Sequence, residues 1–159
     1  MAEDLAPLYA ELADPANDGW ARAEADITRA WSQSGSAAMD LLLKRGLAAM
    51  DAGDLPAALD HLTALTDHAP DFAEGWATRA AALYLDGQPG PALADLRRAL
   101  AIEPHHFAAL TLVGTIFEEM GDTRRALVAF DESLKLHPHQ QEAIDAQARL
   151  RQARDGIAL

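Results

Sequence analysis

The chain has 159 residues, half of them hydrophobic and only 6% aromatic, which is enough to bury one core and favours helices over sheets. Its 25 acidic residues against 13 basic ones give a formal net charge of -12, which excludes nucleic acid as an expected partner because the phosphate backbone would repel the chain. The absence of cysteine excludes disulfides and thiolate chemistry, and no apolar run approaches the ~20 residues of a membrane-spanning helix, so no membrane insertion is predicted.

Residues 1–38 predict a helical hairpin that caps the rest of the chain. Apolar residues at helical spacing indicate one helix over 4–13 and a second over 17–32. We expect Trp20, Ile27 and Trp31 to be buried against the next block of sequence. The alternative is a mobile amphipathic arm that binds a partner, formed by Leu5, Leu8, Tyr9 and Leu12.

From residue 39 the chain repeats itself three times with a period of 34 residues. The blocks are 39–72, 73–106 and 107–140, and each predicts two amphipathic helices of about 12 to 14 residues joined by a glycine turn. One such hairpin cannot bury its own apolar face, so neighbouring hairpins must stack. The residues that recur in frame are Gly53, Gly87 and Gly121 in the turns, Pro70, Pro104 and Pro138 at the block ends, Ala58, Ala92 and Ala126 as small sites, and Leu62, Leu96 and Phe130 four positions later.

The turn inside the second block explains an unusual stretch, LDGQPGPALADL, at 85–96. We expect Gly87 to adopt the left-handed conformation that ends the first helix. Pro89 and Pro91 fall before or within the first turn of the next helix, where amide hydrogens have no partner in the helix. The other predicted helix starts are Ser36 and Pro56 in the first block, the capping pair Asp71 and Glu74 in the second, and Thr123 in the third.

Residues 141–159 predict a capping helix and a tail. The helix begins in frame with the repeats, and a terminal helix of this kind covers the exposed apolar face of the last hairpin. We expect Ile144, Ala148 and Leu150 to face inward, and Gln147 and Arg151 to face outward or to lie at the edge.

The spacing inside the blocks resembles that of the tetratricopeptide repeat (TPR) family over about two thirds of the chain. The resemblance implies an all-α fold, a right-handed superhelical stack of antiparallel helix hairpins with an N-terminal helical cap and a C-terminal capping helix. Arg45 and Arg79 stand where leucine is usual, and we expect their stems to cover apolar surface with the charged heads in water. The second block carries the pattern as Trp76, Arg79, Ala80, Leu83, Ala92, Leu96 and Pro104.

In this family the first helices of successive repeats line a concave groove that holds a peptide or helix of another protein. The resemblance therefore implies a non-enzymatic interaction module with a mostly apolar groove, suited to a hydrophobic peptide or an amphipathic helix. Some members hold the acidic tail of a chaperone with basic residues, and the matching positions here lack that clamp: Leu43, Leu47, Thr78, Ala108 and Leu112. The groove residues carried over are Leu43, Lys44, Leu47, Met50, Ala77, Thr78, Ala81, Tyr84, Leu85, Thr111, Leu112 and Thr115, with acids Asp51, Glu74, Glu118 and Glu119 beside them.

An alternative is a self-associating or self-capped structural module, in which the N-terminal hairpin or a second copy in a homodimer fills the groove. The residues specify neither the client protein nor the pathway. The N-terminal layout resembles small bacterial TPR proteins with three tandem repeats, which commonly follow a secretion signal. The start, MAEDLAP, is not itself a signal peptide, so we expect either a mature periplasmic chain behind an added Met or a cytoplasmic protein.

No catalytic motif is present: the chain lacks a phosphate loop, a zinc H-E-x-x-H, a G-x-S-x-G elbow and a dinucleotide fingerprint. We therefore predict neither an enzyme nor a cofactor. Five histidines fall in the turns between blocks, where the simplest expectation is an exposed side chain and no metal. The alternative is a metal ion that bridges two of these turns through neutral imidazoles. The five are His68, His105, His106, His137 and His139.

Overall fold

The computed structural model describes residues 3–157, and within that range the chain forms nine α-helices and no strand. The all-α class is therefore confirmed, and none of the described helices has the length and apolar character needed to cross a bilayer. Residues 1 and 2 of the predicted cap, and 158 and 159 of the predicted tail, lie outside the described residues. The helices are α1 (Ala6–Ala13), α2 (Trp20–Trp31), α3 (Ala37–Asp51), α4 (Leu55–His68), α5 (Ala73–Leu85), α6 (Pro89–Ile102), α7 (Phe107–Glu119), α8 (Thr123–Leu136) and α9 (Gln141–Ile157).

Three helix pairs pack as hairpins: α3 with α4, α5 with α6, and α7 with α8. The first helix of each pair ends at a glycine with positive φ, +75° at Gly53, +74° at Gly87 and +79° at Gly121. Residues with a side chain rarely adopt this conformation, so the glycine fixes where each hairpin turns. The left-handed turn predicted at Gly87 is confirmed.

Helix starts agree with the sequence where a proline or serine defines them. Ser36 accepts a hydrogen bond from the Met39 amide, and Pro56 and Pro89 lie in the first turns of α4 and α6. Two capping predictions are wrong. Phe72 occupies the N-cap of α5, so Asp71 is one residue too early to pair with Glu74. Asp122 caps α8 instead of Thr123, because its carboxylate reaches the Arg125 amide at 3.0 Å.

The helices divide into two compact units. The middle unit comprises Thr28–Pro104, with α3 to α6, and the terminal unit comprises Met1–Ile27 together with His105–Leu159. In the middle unit, Leu43, Leu62, Leu65 and Ala82 form a buried cluster. Leu65 stands where the other repeats carry a small residue, and Gly75 makes room for it: a Cβ at Gly75 would lie 3.2 Å from the Leu65 Cγ atom.

The terminal unit packs α9 against α8, as expected of a capping helix. Leu150 is buried as predicted and Ile144 is half-buried, but Ala148 is exposed, so that part of the prediction is wrong. The inward stripe runs one residue earlier along the helix, because buried positions recur at three- and four-residue spacing. The cluster consists of Ala126, Leu127, Phe130, Ala143, Ala146 and Leu150.

The N-terminal hairpin, expected on the first block, is divided between the two units: residues up to Ile27 belong to the terminal unit, and residues 28–31 belong to the middle unit with the first block. Its first helix, α1, contacts α8 in the terminal unit, and Leu12 of α1 is buried. Ile27 and Trp31 are buried, but Trp20 is half-buried and its ring lies against His137 and His139. Periodicity does not reveal these aromatic contacts to histidine rings.

Candidate functional site

The candidate surface of the middle unit lies on α3 and α5, two helices that contact each other. Leu47 on α3 and Leu85 on α5 are 43% and 58% exposed, and Lys44 is also exposed. Large apolar side chains this accessible are candidates for contact with another protein. Of the other residues carried over to these helices, Met50, Ala81 and Tyr84 are half-buried, and Leu43, Ala77 and Thr78 are buried.

The buried members of that set belong to the protein core. Leu43 packs with Leu62 and Leu65, and Ala77 packs with Trp76 and Ala99. Their apolar surface is already covered, so they hold the helices in position and offer little area to a partner. On these two helices, Leu47, Leu85 and Lys44 are the predicted residues with the most accessible side chains.

On α7, in the terminal unit, Thr111 forms part of a buried hydrogen-bond network. Its Oγ1 lies 2.7 Å from Ser133 Oγ and 2.8 Å from Gln140 Oε1. Ser133 Oγ also donates to the Phe107 carbonyl at 2.8 Å and accepts from Gln140 Nε2 at 2.9 Å. The network joins α7, α8 and the turn before α9, so Thr111 has a structural role. Leu112 and Thr115 are half-buried, and Thr115 Oγ1 donates to the Thr111 carbonyl.

A buried ion pair supports α5 behind the candidate surface. The Arg79 guanidinium donates two hydrogen bonds to the Asp95 carboxylate, at 2.6 and 2.9 Å, and Asp95 is 2% exposed. This bidentate bond raises the pKa of Arg79 above its ordinary value. The expectation that the Arg79 head lies in water is therefore wrong, because an acid on the neighbouring helix binds it. Arg45, in contrast, is exposed.

The acids beside the predicted groove differ in their contacts and their exposure. Glu118 on α7 makes two hydrogen bonds to the Arg149 guanidinium of α9, at 2.7 and 3.0 Å. This pair raises the pKa of Arg149 and connects the capping helix to the third hairpin. Asp51 and Glu119 are exposed at the ends of α3 and α7.

No protein-family model matches the chain. A TPR repeat-containing protein of Rhizobium etli is 34% identical to it over 113 residues, which cover 71% of this chain and 55% of that protein. The chain thus spans about half the length of this curated relative. Two observations therefore agree. The relative carries the TPR name, and the three in-frame blocks of this chain each form a pair of packed helices, as TPR repeats do.

The chain is a TPR protein.

Solved TPR structures agree in fold. The first TPR domain of Spaghetti (RPAP3), bound to the HSP90 peptide SRMEEVD, matches with a TM-score of 0.72 at 22% identity, over 76% of this chain and 95% of that one. The MamA protein matches with a TM-score of 0.69 at 20% identity, over 95% of this chain and 83% of that one. At these identities the likeness describes the all-α TPR solenoid and nothing finer.

The turn histidines of this TPR chain are not uniformly exposed, which corrects the sequence expectation. His106 is buried as the N-cap of α7, where its Nδ1 accepts the Ala109 amide at 3.0 Å. His137 is also buried and pairs through Nε2 with the Glu24 carboxylate. Within residues 3–157 no group of three or more His, Cys, Asp or Glu side chains is arranged to hold a metal ion.

Three residues that matter in these sites carry no motif: Asp95, Gln140 and Glu24. Asp95 lies 16 residues from Arg79 and Glu24 lies 113 from His137, whereas Gln140 binds both Thr111, 29 residues away, and Ser133, 7 residues away. One signal was available for Asp95, because it occupies a repeat position that is Ala129 in the third block. An acid at an apolar position, beside an arginine at another, predicts a pair.

Proposed function

We propose that this TPR chain is a non-enzymatic protein-interaction module, and that the exposed face of α3 and α5 binds a hydrophobic peptide or an amphipathic helix of a partner protein. The observation that carries the proposal is the pair of accessible leucines, Leu47 and Leu85, on two contacting helices. An amphipathic helix presents apolar residues at three- and four-residue spacing to such a face. Lys44 and Asp51 lie beside them and supply polar contacts at the edge.

The TPR neighbours support a partner that is a protein, and the charge of this chain restricts its chemistry. The Spaghetti domain holds an HSP90 peptide that ends in EEVD. Here Leu43 and Leu47 stand at two of the positions where such a clamp carries lysine, asparagine or arginine, and the net charge is -12. An acidic peptide would be repelled, so we propose a neutral or basic apolar peptide as the ligand.

Peptide display tests this proposal with charge substitutions on the surface. The purified chain selects from a library of helical and extended peptides, and the selected peptides are measured against Leu47→Glu and Leu85→Glu. We expect each substitution to weaken binding at least tenfold, because a carboxylate would be desolvated in an apolar contact. The matched control is Val128→Glu on α8, whose side chain is 58% exposed, as Leu85 is.

A result in which all three variants bind the selected peptides as the parent does would place the ligand elsewhere. Equal loss with Val128→Glu would indicate a general charge effect and would also count against the proposed face. Circular dichroism of each variant confirms that the helices persist before affinities are compared.

The second candidate, a self-capped structural module, has one observation in its favour. The N-terminal segment lies on the third hairpin within the terminal unit, where Leu12 is buried. In this alternative the chain covers its own binding surfaces or pairs with a second copy. Sedimentation velocity over a hundredfold range of concentration tests pairing, because a dimer that Leu47→Glu dissociates supports self-association. A monomer throughout whose Leu47 and Tyr84 are accessible in solution supports an external client, and a monomer that protects them supports the self-capped module.

A further inference from the structure

The N-terminal segment, residues 3–27, buries Leu12, Ala23 and Ile27 and also contacts histidines of two turns beside the third hairpin. The Tyr9 ring stacks on His105 with centroids 4.2 Å apart and an interplanar angle of 9°. The Trp20 ring stacks on His139 at 5.1 Å, also at 9°. Glu24, one turn further along α2, pairs with His137. These contacts join α1 and α2 to residues about a hundred positions away in the chain.

His137 has the most restrictive environment of these histidines. It is 1% exposed, with the Phe107 ring edge-on at 4.8 Å and the Trp20 ring at 5.4 Å. Its backbone amide donates to the Ser133 carbonyl, while its side-chain Nε2 meets the Glu24 carboxylate. The opposite ring nitrogen, Nδ1, is buried and has no hydrogen-bond partner among the described residues.

This arrangement assigns the proton of a neutral ring. A carboxylate can only accept, so Nε2 carries the hydrogen that it donates to Glu24, and Nδ1 is the bare nitrogen. A second proton would have to bind Nδ1, which would then be a buried donor without an acceptor, a state that costs free energy. The closed contact therefore favours the uncharged imidazole.

Burial disfavours a charge on His137, and two titratable groups among the described residues also act on it. Glu24 on α2 favours the imidazolium, and His139 in the same turn disfavours it; α7 contributes the Phe107 ring. Burial has the largest effect and outweighs Glu24, so the pKa of His137 lies below its ordinary value of 6.5. A released segment would leave this ring in water, where the ordinary value applies.

We propose that the N-terminal segment and His137 form a pH-sensitive clasp, closed when the ring is neutral and released when the ring is protonated. The sign follows from linkage: the released form binds the proton more readily, so acid favours release. The contact has its full stability above about pH 6.5 and loses it as the pH falls through 6.5 toward the lower pKa of the closed form. Each unit between the two pKa values changes the ratio of released to closed chains by about tenfold.

This pH dependence, release of the segment in acid, is opposite to that of an ordinary salt bridge between histidine and a carboxylate. If Glu24 and His137 were held together by opposite charges, protonation of His137 would strengthen the contact. Acidification to about pH 5.5, below the ordinary pKa of histidine, therefore separates the two mechanisms, because the clasp would open there whereas a salt bridge would tighten.

The absence of cysteine makes a distance measurement direct. Spin labels on Ala10→Cys in α1 and Val128→Cys in α8, both exposed positions, report on the clasp by pulsed electron resonance. At about pH 8 we expect a single short distance, and at about pH 5.5 a longer, broad distribution that reverts when the pH is restored. A control pair, Ala108→Cys and Val128→Cys, lies within the third hairpin and should keep its distance.

Variants assign the response to His137. His137→Gln cannot be protonated, so its distance distribution should be the same at both pH values; His105→Gln, the control, should keep the wild-type response. Glu24→Gln removes the charge that favours the imidazolium, so release at about pH 5.5 should be at least as complete as in the parent.

Three results would overturn the proposal. The first is a short distance that persists or sharpens in acid. The second is a Glu24→Gln variant that no longer opens in acid. The third is a His137 pKa above 6.5, measured from the chemical shift of its ring Hε1 in the intact chain. The last two remain decisive if His137→Gln weakens the clasp at every pH. Peptide binding through Leu47 and Leu85 is a separate property, so failure of the clasp leaves the proposed function untouched.

Discussion

Arg79 and Asp95 occupy two repeat positions that are apolar in the third hairpin, where Val113 and Ala129 stand. The ion pair thus replaces an apolar contact with two complementary charges at once. Arg79 and Arg98 also lie over the Trp76 ring, with the guanidinium carbons 5.0 and 4.6 Å from its centroid. A buried charge is tolerated only with a partner, so neither Arg79 nor Asp95 is expected to be replaceable alone.

Replacing both residues of this pair should be much less harmful than replacing one. Asp95→Ala leaves Arg79 without its buried partner and should lower the free energy of unfolding by about 3 kcal/mol. The double variant Arg79→Val/Asp95→Ala copies the third hairpin and should recover to within about 1 kcal/mol of the parent. Urea unfolding of the four chains in this cycle measures the coupling. Additive losses in the double variant would show that the two side chains contribute independently.

At the scale of the helix pair, the distance between the two helices of a hairpin depends on which large side chain of the second helix faces the small residue of the first. In the third hairpin a Cβ added at Gly114 would lie 2.8 Å from two atoms of the Phe130 ring, and in the first a Cβ at Gly46 would lie 2.6 Å from a Leu62 methyl. The second hairpin has Ala80 at the same position, with Leu96 opposite. Leucine can rotate away from an extra methyl group, whereas a phenyl ring is stiffer.

Gly114→Ala should therefore destabilise the protein, although alanine is the better helix former. We expect a loss of about 1 to 3 kcal/mol from overpacking against Phe130, partly offset by about 1 kcal/mol of helix propensity. Thermal unfolding followed by circular dichroism measures the change. The double variant Gly114→Ala/Phe130→Leu copies the second hairpin. It should lose less stability than the single variant Phe130→Leu. Gly46→Ala should be close to neutral; a larger loss there than at Gly114 would contradict this account.

Periodicity predicted the helices well because each repeat places the same residue types at the same depth. The turn glycines, the prolines of α4 and α6 and the stripe of α8 all follow from local chemistry. The helix caps at Phe72 and Asp122 were missed because two adjacent residues compete for one position. The candidate surface was predicted by position alone, so it included Leu43 and Ala77, which the core covers.

For the whole molecule, the sequence pattern predicts neighbours in the stack but gives no signal for contacts between distant segments. The terminal unit joins residues up to Ile27 with residues from His105 onward. Its long-range contacts include single side-chain pairs, such as Tyr9 with His105 and Glu24 with His137. No repeat frame encodes such pairs, so periodicity does not predict that residues up to Ile27 share a unit with the third hairpin.

This organisation predicts which segments lose stability together. Phe130→Ala removes a buried ring from the core of the terminal unit and should cost about 3 to 5 kcal/mol there. Hydrogen exchange measured by mass spectrometry should show faster exchange in α7, α8 and α9, and also in α1 at the opposite end of the sequence. Leu62→Ala, in the core of the middle unit, is the matched variant and should act first on α3 to α5. If Phe130→Ala left α1 as protected as in the parent, the N-terminal segment would not share the stability of the third hairpin, and a clasp built on His137 would lose its structural basis.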